Sequence, residues 1–314
     1  MDWKKILILL FAILGSLSIN GIVSADSVDE KNEEPKSGAW LKISPTTKRL
    51  SLKSGDYIEE TITIANEGTE SVESSIYVTP YSENEDGITK DFDISNNYNQ
   101  ISRWIKIKNT DGEFVDKAEY GLAPGEEKKV TFSISVPNEA PSGGQYACIF
   151  MESKRKEHIQ GTIQAIPRVG SLVYAQIDGE LKREAKLAGI EAKKFGNNIG
   201  VKANVANTGN IDIQATLDVK IESVFGEELY RHTGVTTILP ESNKTIYVEW
   251  GETPAVGIFR VKHELKALNI TENETRIVFV ISPSILILTI AIIIAATIYL
   301  VFRIKTKAHR LATE

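Results

Sequence analysis

Apolar residues at every second position, broken by short turns rich in Asn, Gly and Pro, set the tightest limit on how this 314-residue chain folds. In Tyr57–Ala65, Ile58, Ile62 and Ile64 share one side while Thr61 and Thr63 take the other. In Ser71–Thr79, Val72, Ile76 and Val78 oppose Glu73, Ser75 and Tyr77, and Asn66-Glu67-Gly68 marks the turn between the two segments. Val130, Phe132, Ile134 and Val136 repeat the pattern against Lys129, Thr131, Ser133 and Ser135. A period of two places alternate side chains on opposite faces of a half-buried strand. Only Lys182–Lys194 allows a short helix within this region. Such strands joined by tight turns predict antiparallel sheets packed as a sandwich, not a parallel α/β sheet.

An ordered set of landmarks occurs twice. The segment 64–78 (IANEGTESVESSIYV) precedes Leu122-Ala123-Pro124-Gly125 and then Ala140-Pro141-Ser142-Gly143-Gly144, each turn leading into a strand. The segment 205–219 (VANTGNIDIQATLDV) likewise precedes Ile238-Leu239-Pro240-Glu241 and then Pro254-Ala255-Val256-Gly257. Asn66 matches Asn207 and Gly68 matches Gly209 at an offset of 141, and the later landmarks drift because residues 80–104 form a longer excursion in the first copy. The expected fold is all-β: tandem immunoglobulin-like β-sandwiches over 39–155 and 156–282, the second including a connecting segment.

The ends differ from this body. Lys4 and Lys5, the apolar stretch Ile6–Leu14 and the small residues Val23-Ser24-Ala25 read as a signal peptide over 1–25, and 26–38 as an acidic linker. Residues 285–302 are almost wholly apolar, and as a helix they rise about 27 Å, close to the thickness of a bilayer core. Arg303, Lys305, Lys307 and Arg310 follow in the tail 303–314, so the positive-inside rule sets the C-terminus in the cytoplasm and the N-terminus outside. The expected localisation is a cell membrane crossed once. With +1 assigned to the signal and +3 to the tail, the net −6 becomes −10 for residues 26–302. An acidic body of this kind argues against nucleic acid as a partner and against adhesion to anionic surfaces by charge alone.

Catalytic chemistry finds no support. The single cysteine, Cys148, excludes a disulfide framework and Cys-ligated metal centres, and its alternation with Tyr146 and Phe150 marks it as a small buried hydrophobe. His158, His232, His263 and His309 lie in no metal or acid–base motif, and nucleophile-elbow, phosphate-loop and dinucleotide signatures are absent. The expectation is no enzyme, no cofactor and no catalytic or metal residue. Ser82–Asp93 spaces oxygens before Gly87 as calcium loops do, yet lacks flanking helices and a terminal Glu, and reads as a solvated acidic loop. Asn243, Asn269 and Asn273 begin N-x-[ST] sequons, which matter only where exported proteins are glycosylated.

The segments LKISPTTKRLSLKSGD, Trp104-Ile105-Lys106-Ile107, LAPGEEKKVTFSISVP and APSGGQYACIF resemble the peptidoglycan-binding domain of WxL-interacting proteins, bacterial surface proteins with a second β-sandwich, a membrane helix and a basic tail. The resemblance implies a prokaryotic cell-surface protein that binds cell-wall polysaccharide or another surface protein. The second domain, with NTGNIDI and SVFGEELY, looks like a generic immunoglobulin-like module. SPTTKRLSL and ITIANEGTE also resemble periplasmic pilus chaperones, which implies the alternative of an extracytoplasmic assembly factor acting by β-strand complementation. For glycan binding the candidate ligand residues are Tyr81, Tyr98 and Trp104, aromatics in or beside the excursion.

Overall fold

Residues 40–83, 90–93, 95–154 and 166–311 are described by a computed structural model. The signal and linker segments, His158 and the centre of the Ser82–Asp93 loop lie outside the described residues. The body is all-β, as the alternation requires, and closes with one C-terminal apolar helix. In the first sandwich the strands are β1 (Leu41–Ser44), β2 (Thr47–Leu52), β3 (Tyr57–Asn66), β4 (Val72–Pro80), β5 (Ser82–Glu83), β6 (Lys90–Asp91), β7 (Ile105–Lys108), β8 (Phe114–Val115), β9 (Lys117–Leu122), β10 (Glu127–Ser135), β11 (Gly143–Ser153) and β12 (Arg168–Ile177). One sheet has the order β1-β3-β10-β7-β8 and the facing sheet β2-β12-β11-β4-β9. The second sandwich comprises β13 (Ala185–Phe195), β14 (Asn198–Asn207), β15 (Ile213–Ser223), β16 (Glu228–Ile238), β17 (Asn243–Trp250), β18 (Val256–Ala267) and β19 (Ile270–Ile281), ordered β13-β14-β17 and β16-β15-β18-β19. Helix α1 (Pro283–Leu311) follows, and its segment Pro283–Ile304 is long and apolar enough to cross a membrane.

Each sandwich has its own core. Ile62, Ile64, Val130, Phe132 and Ile134 meet Ile76, Ile149, Met151 and Val173 in the first, while Val201, Val205, Leu217, Val219, Val261 and Leu265 fill the second. The inward residues are those the period of two selects. The repeated Asn-x-Gly landmark acts as a bolt in both copies. Asn207 Nδ2 donates to the carbonyls of Ile211 and Ile238 at 2.8 and 3.0 Å, and its Oδ1 accepts the Gly209 amide at 2.9 Å. Asn66 does the same with Glu70, Leu122 and Ala123 as acceptors and Gly68 as donor. In each case a buried amide side chain ties the first turn to the Leu/Pro turn far along the chain, which explains why both landmarks recur together.

Two expectations change. Lys182–Lys194 holds no helix: Ala185–Phe195 is a strand whose register slips between Leu187 and Gly189. Gly189, at φ 158°, carries a bulge that shifts the apolar positions from Leu187 to Ile190, a helix-like spacing of three produced by a strand irregularity. The boundary between sandwiches also moves. Arg168–Ile177 is antiparallel to β11 and parallel to β2, so it completes the first sandwich and the connection to the second begins at Asp178.

Candidate functional site

The segment Ser37–Glu314 forms a single unit, and the sandwiches meet through specific polar contacts. Arg49 from β2 reaches Asp212 of the second sandwich at 2.9 Å and stacks over the Tyr174 ring, 4.6 Å from its centroid. Reciprocally, Lys244 from β17 reaches Glu83 of the first sandwich at 2.7 Å, with both side chains only 11% exposed. Between these pairs the Tyr146 hydroxyl donates to Asp212 Oδ1 and accepts the Asp212 amide at 2.9 Å. Burial chiefly, and then the Asp212 carboxylate, raises the Tyr146 phenol above its ordinary range, so it stays a neutral donor. The Gly144 amide donates to the Asn210 carbonyl at 2.7 Å. Gly143, at φ 115°, permits this approach: a Cβ there would stand 2.3 Å from the Asn210 oxygen.

Two of the three aromatic candidates from the sequence lie around this junction, but not as an exposed platform. Tyr81 is buried at 1% exposure, stacked on Phe92, with its hydroxyl donating to Glu83 Oε1 at 2.6 Å. Tyr98 is half-buried, and its phenol is raised by burial and by a hydrogen bond to Glu241. Trp104 packs half-buried against the first core beside β7 and is not part of that cluster. A cleft of about 230 Å³ opens between Tyr98, Asn97 and Glu241, smaller than the ~300 Å³ at which ligand pockets generally begin. Glu241 adopts φ 51°, a left-handed conformation uncommon for a residue with a side chain. Among the described residues no group of His, Cys, Asp and Glu is arranged to hold a metal ion. Cys148 is buried, and burial pushes its thiol up to about 12.

A second feature went unread in the sequence. At Ser44-Pro45 the chain leaves the β3 edge and crosses to the opposite sheet, where β2 pairs only with Leu172–Ile177 of β12. The Leu172 amide donates to Thr46, so Leu172 directs its backbone groups towards β2. By the strand period, Gly170 and Arg168 direct theirs to the same side. There no described strand pairs with them. The result is a short open stretch of β12 that begins where β2 ends, with Arg168 lying over the Phe150 ring at 4.1 Å. The Gly143-Gly144 pair, which signals a close backbone approach, was the only local hint of the junction. Nothing local marked the open stretch.

No family model and no curated protein matches the chain. Among solved structures it is similar to the class 5 fimbriae chaperone CfaA, at 14% identity over 77% of this chain and 99% of that one, with a TM-score of 0.37. The Escherichia coli chaperone DraB gives 14% identity over 76% and 98%, with a TM-score of 0.36. The Pseudomonas aeruginosa CupB2 chaperone gives 12% over 75% and 99%, with a TM-score of 0.34.

Proposed function

We propose that this chain is a membrane-held, extracytoplasmic binding protein, without enzymatic activity, that grips an exported polypeptide by adding one of its strands beside β12. The open backbone groups of Arg168 and Gly170 carry the reading. An incoming strand would continue the line of β2, and the end of β2 at Thr47 would act as a stop that fixes its register. Two other sheet edges are less suited. β9 presents Lys117 and Glu119, and β16 presents Glu228 and Arg231, charges that blunt an edge against pairing. The junction favours a protein ligand over a glycan: Tyr81 is buried, Trp104 lies half-buried against the first core and the cleft beside Tyr98 is small. The apolar Pro283–Ile304 segment, with Arg303 at its end and Lys305 and Lys307 after it, supports a single membrane crossing with the sandwiches outside.

The test places a photocrosslinking side chain at position 168 in the full chain, in the membranes of its own cell, and identifies the captured polypeptide. Arg168→Pro deletes an outward N–H at the first residue of a strand, where proline is tolerated, whereas Arg168→Ala removes only the side chain. Binding of that polypeptide should be lost in the first variant and kept in the second. Equal binding by Arg168→Pro would refute strand addition. Capture of purified cell-wall sacculi at high salt, with no polypeptide crosslinked, would replace this reading with the glycan one.

A further inference from the structure

The end of the second sandwich from which α1 departs is unusually apolar on its outside. On the outer face of the β18–β19 hairpin, Val256 stands opposite Ile281 and Ile258 opposite Phe279. These four side chains are 46–67% exposed, and Ile277, next along β19, is 64% exposed. Their inward neighbours Phe259, Val278 and Val280 fill the core, so the exposed residues are surplus to it. A second observation comes from a different element. Phe225, at the tip of the β15–β16 turn, is 95% exposed. Ser223 is in register with Phe259, and Phe259 with Val278, which sets this tip at the same end of the sheet. Beyond the apolar band the same face turns polar, with Arg260, Lys262, Asn273 and Thr275.

Chain continuity names the occupant. Only Ser282 separates Ile281 from the first residue of α1, and it is tied on both sides: its amide donates to Ala255 at 2.7 Å, and its carbonyl accepts Leu286 at 3.1 Å. Lys194 Nζ also donates to the Ile281 carbonyl at 2.9 Å. No slack linker holds the sandwich away from the bilayer that Pro283–Ile304 would cross. At about 3.3 Å per residue, Phe279 and Ile258 sit within roughly 10 Å of Ser282, the depth to which interfacial apolar groups reach. We infer that the outer face of the β18–β19 hairpin and the Phe225 tip lie in the headgroup–acyl boundary of the outer leaflet, fixing the tilt of both sandwiches on the membrane. The contact is apolar, so a zwitterionic lipid surface suffices, and the negative charge of the body does not oppose it.

This inference rests on the membrane-crossing reading, and the experiment separates the two. Single cysteines are introduced by Phe225→Cys, Phe279→Cys, Val235→Cys and Ile293→Cys into the full chain, labelled with an environment-sensitive fluorophore and reconstituted in phosphatidylcholine vesicles. Cys148 is buried and stays unlabelled. Labels at 225 and 279 should lose most of their emission to a quencher carried on the lipid and little to aqueous iodide. The label at 235, an exposed position near the far end of β16, should do the reverse. If 293 is lipid-quenched while 225 and 279 behave like 235, docking is overturned and the crossing stands. If 293 is not lipid-quenched, both fail. Labels at 225 and 279 shielded from lipid and iodide alike would mean a protein cover, which also overturns the inference.

Discussion

Removing Lys244 while leaving Glu83 in place tests how the sandwiches are held together. The two groups meet at 2.7 Å, each 11% exposed, and Lys244 also donates to the Thr237 carbonyl at 2.9 Å. Lys244→Met would keep most of the volume but leave the Glu83 carboxylate in a nearly dry site, with the Tyr81 hydroxyl as its remaining donor among the described residues. Stranding one member of a buried ion pair costs about 3–5 kcal/mol, and the Tyr81 bond offsets part of it, so a loss of about 3 kcal/mol is expected. Adding Glu83→Gln removes the stranded charge and should restore about 2 kcal/mol; since Glu83→Gln alone also strands the Lys244 ammonium, the coupling energy should exceed that figure. The assay is urea unfolding of the full chain in non-denaturing detergent, followed for wild type, both single variants and the double variant. Since the pair spans the junction, Lys244→Met should also separate the unfolding of the two sandwiches into distinct transitions. A loss under about 1 kcal/mol, or strictly additive single variants, would refute the claim that this pair is a buried clamp.

Other outcomes follow from the same structure. Asn207→Asp exchanges a donor shared by the Ile211 and Ile238 carbonyls for an acceptor, and should lower the stability of the second sandwich by about 3 kcal/mol or more in denaturant titration. Gly143→Ala would force a Cβ to 2.3 Å from the Asn210 carbonyl at φ 115°, and should loosen the junction by more than about 1 kcal/mol, read as a broadened inter-sandwich distance between spin labels. His263 is buried in the second core, both ring nitrogens lack a partner, and Glu274 Oε2 stands 4.0 Å away, beyond hydrogen-bond reach. Burial lowers its pKa below 6.5, so the unfolded chain takes up a proton first; stability falls as the pH drops through 6.5, and His263→Leu should flatten that part of the pH–melting curve. Cys148, with its thiol pushed up to about 12, should resist alkylation at neutral pH until the protein is unfolded.

Strand identity was legible because burial on one face imposes a period of two, and the duplicated architecture was legible because Asn66 and Asn207 perform the same fixed task. Two kinds of information were not local. Whether Arg168–Ile177 joins the first or the second sandwich depends on pairing with β11 and β2, and no residue within the segment specifies that. The ion pairs Arg49–Asp212 and Lys244–Glu83 join residues more than 160 positions apart. Tyr81 looked like a surface aromatic because its cover comes from the excursion residue Phe92 and from Tyr174, elements whose contacts no short window shows. The bulge at Gly189 misled in the opposite direction, since one irregular residue gave a strand a helical spacing.

The way β12 is held bears on mechanics. Its backbone runs from the open stretch at Arg168 to Ile177 and continues into the second sandwich, which ends at α1. A polypeptide gripped at the open stretch and pulled outward would load β12 along its own axis, with the membrane helix as the opposing anchor. Ladder hydrogen bonds lie across that axis, so those to β11 and β2 would be sheared together and not peeled one after another. Tension would pass from the captured strand through β12 and the folded second sandwich to the bilayer, with the Arg49 and Lys244 clamps as lateral braces.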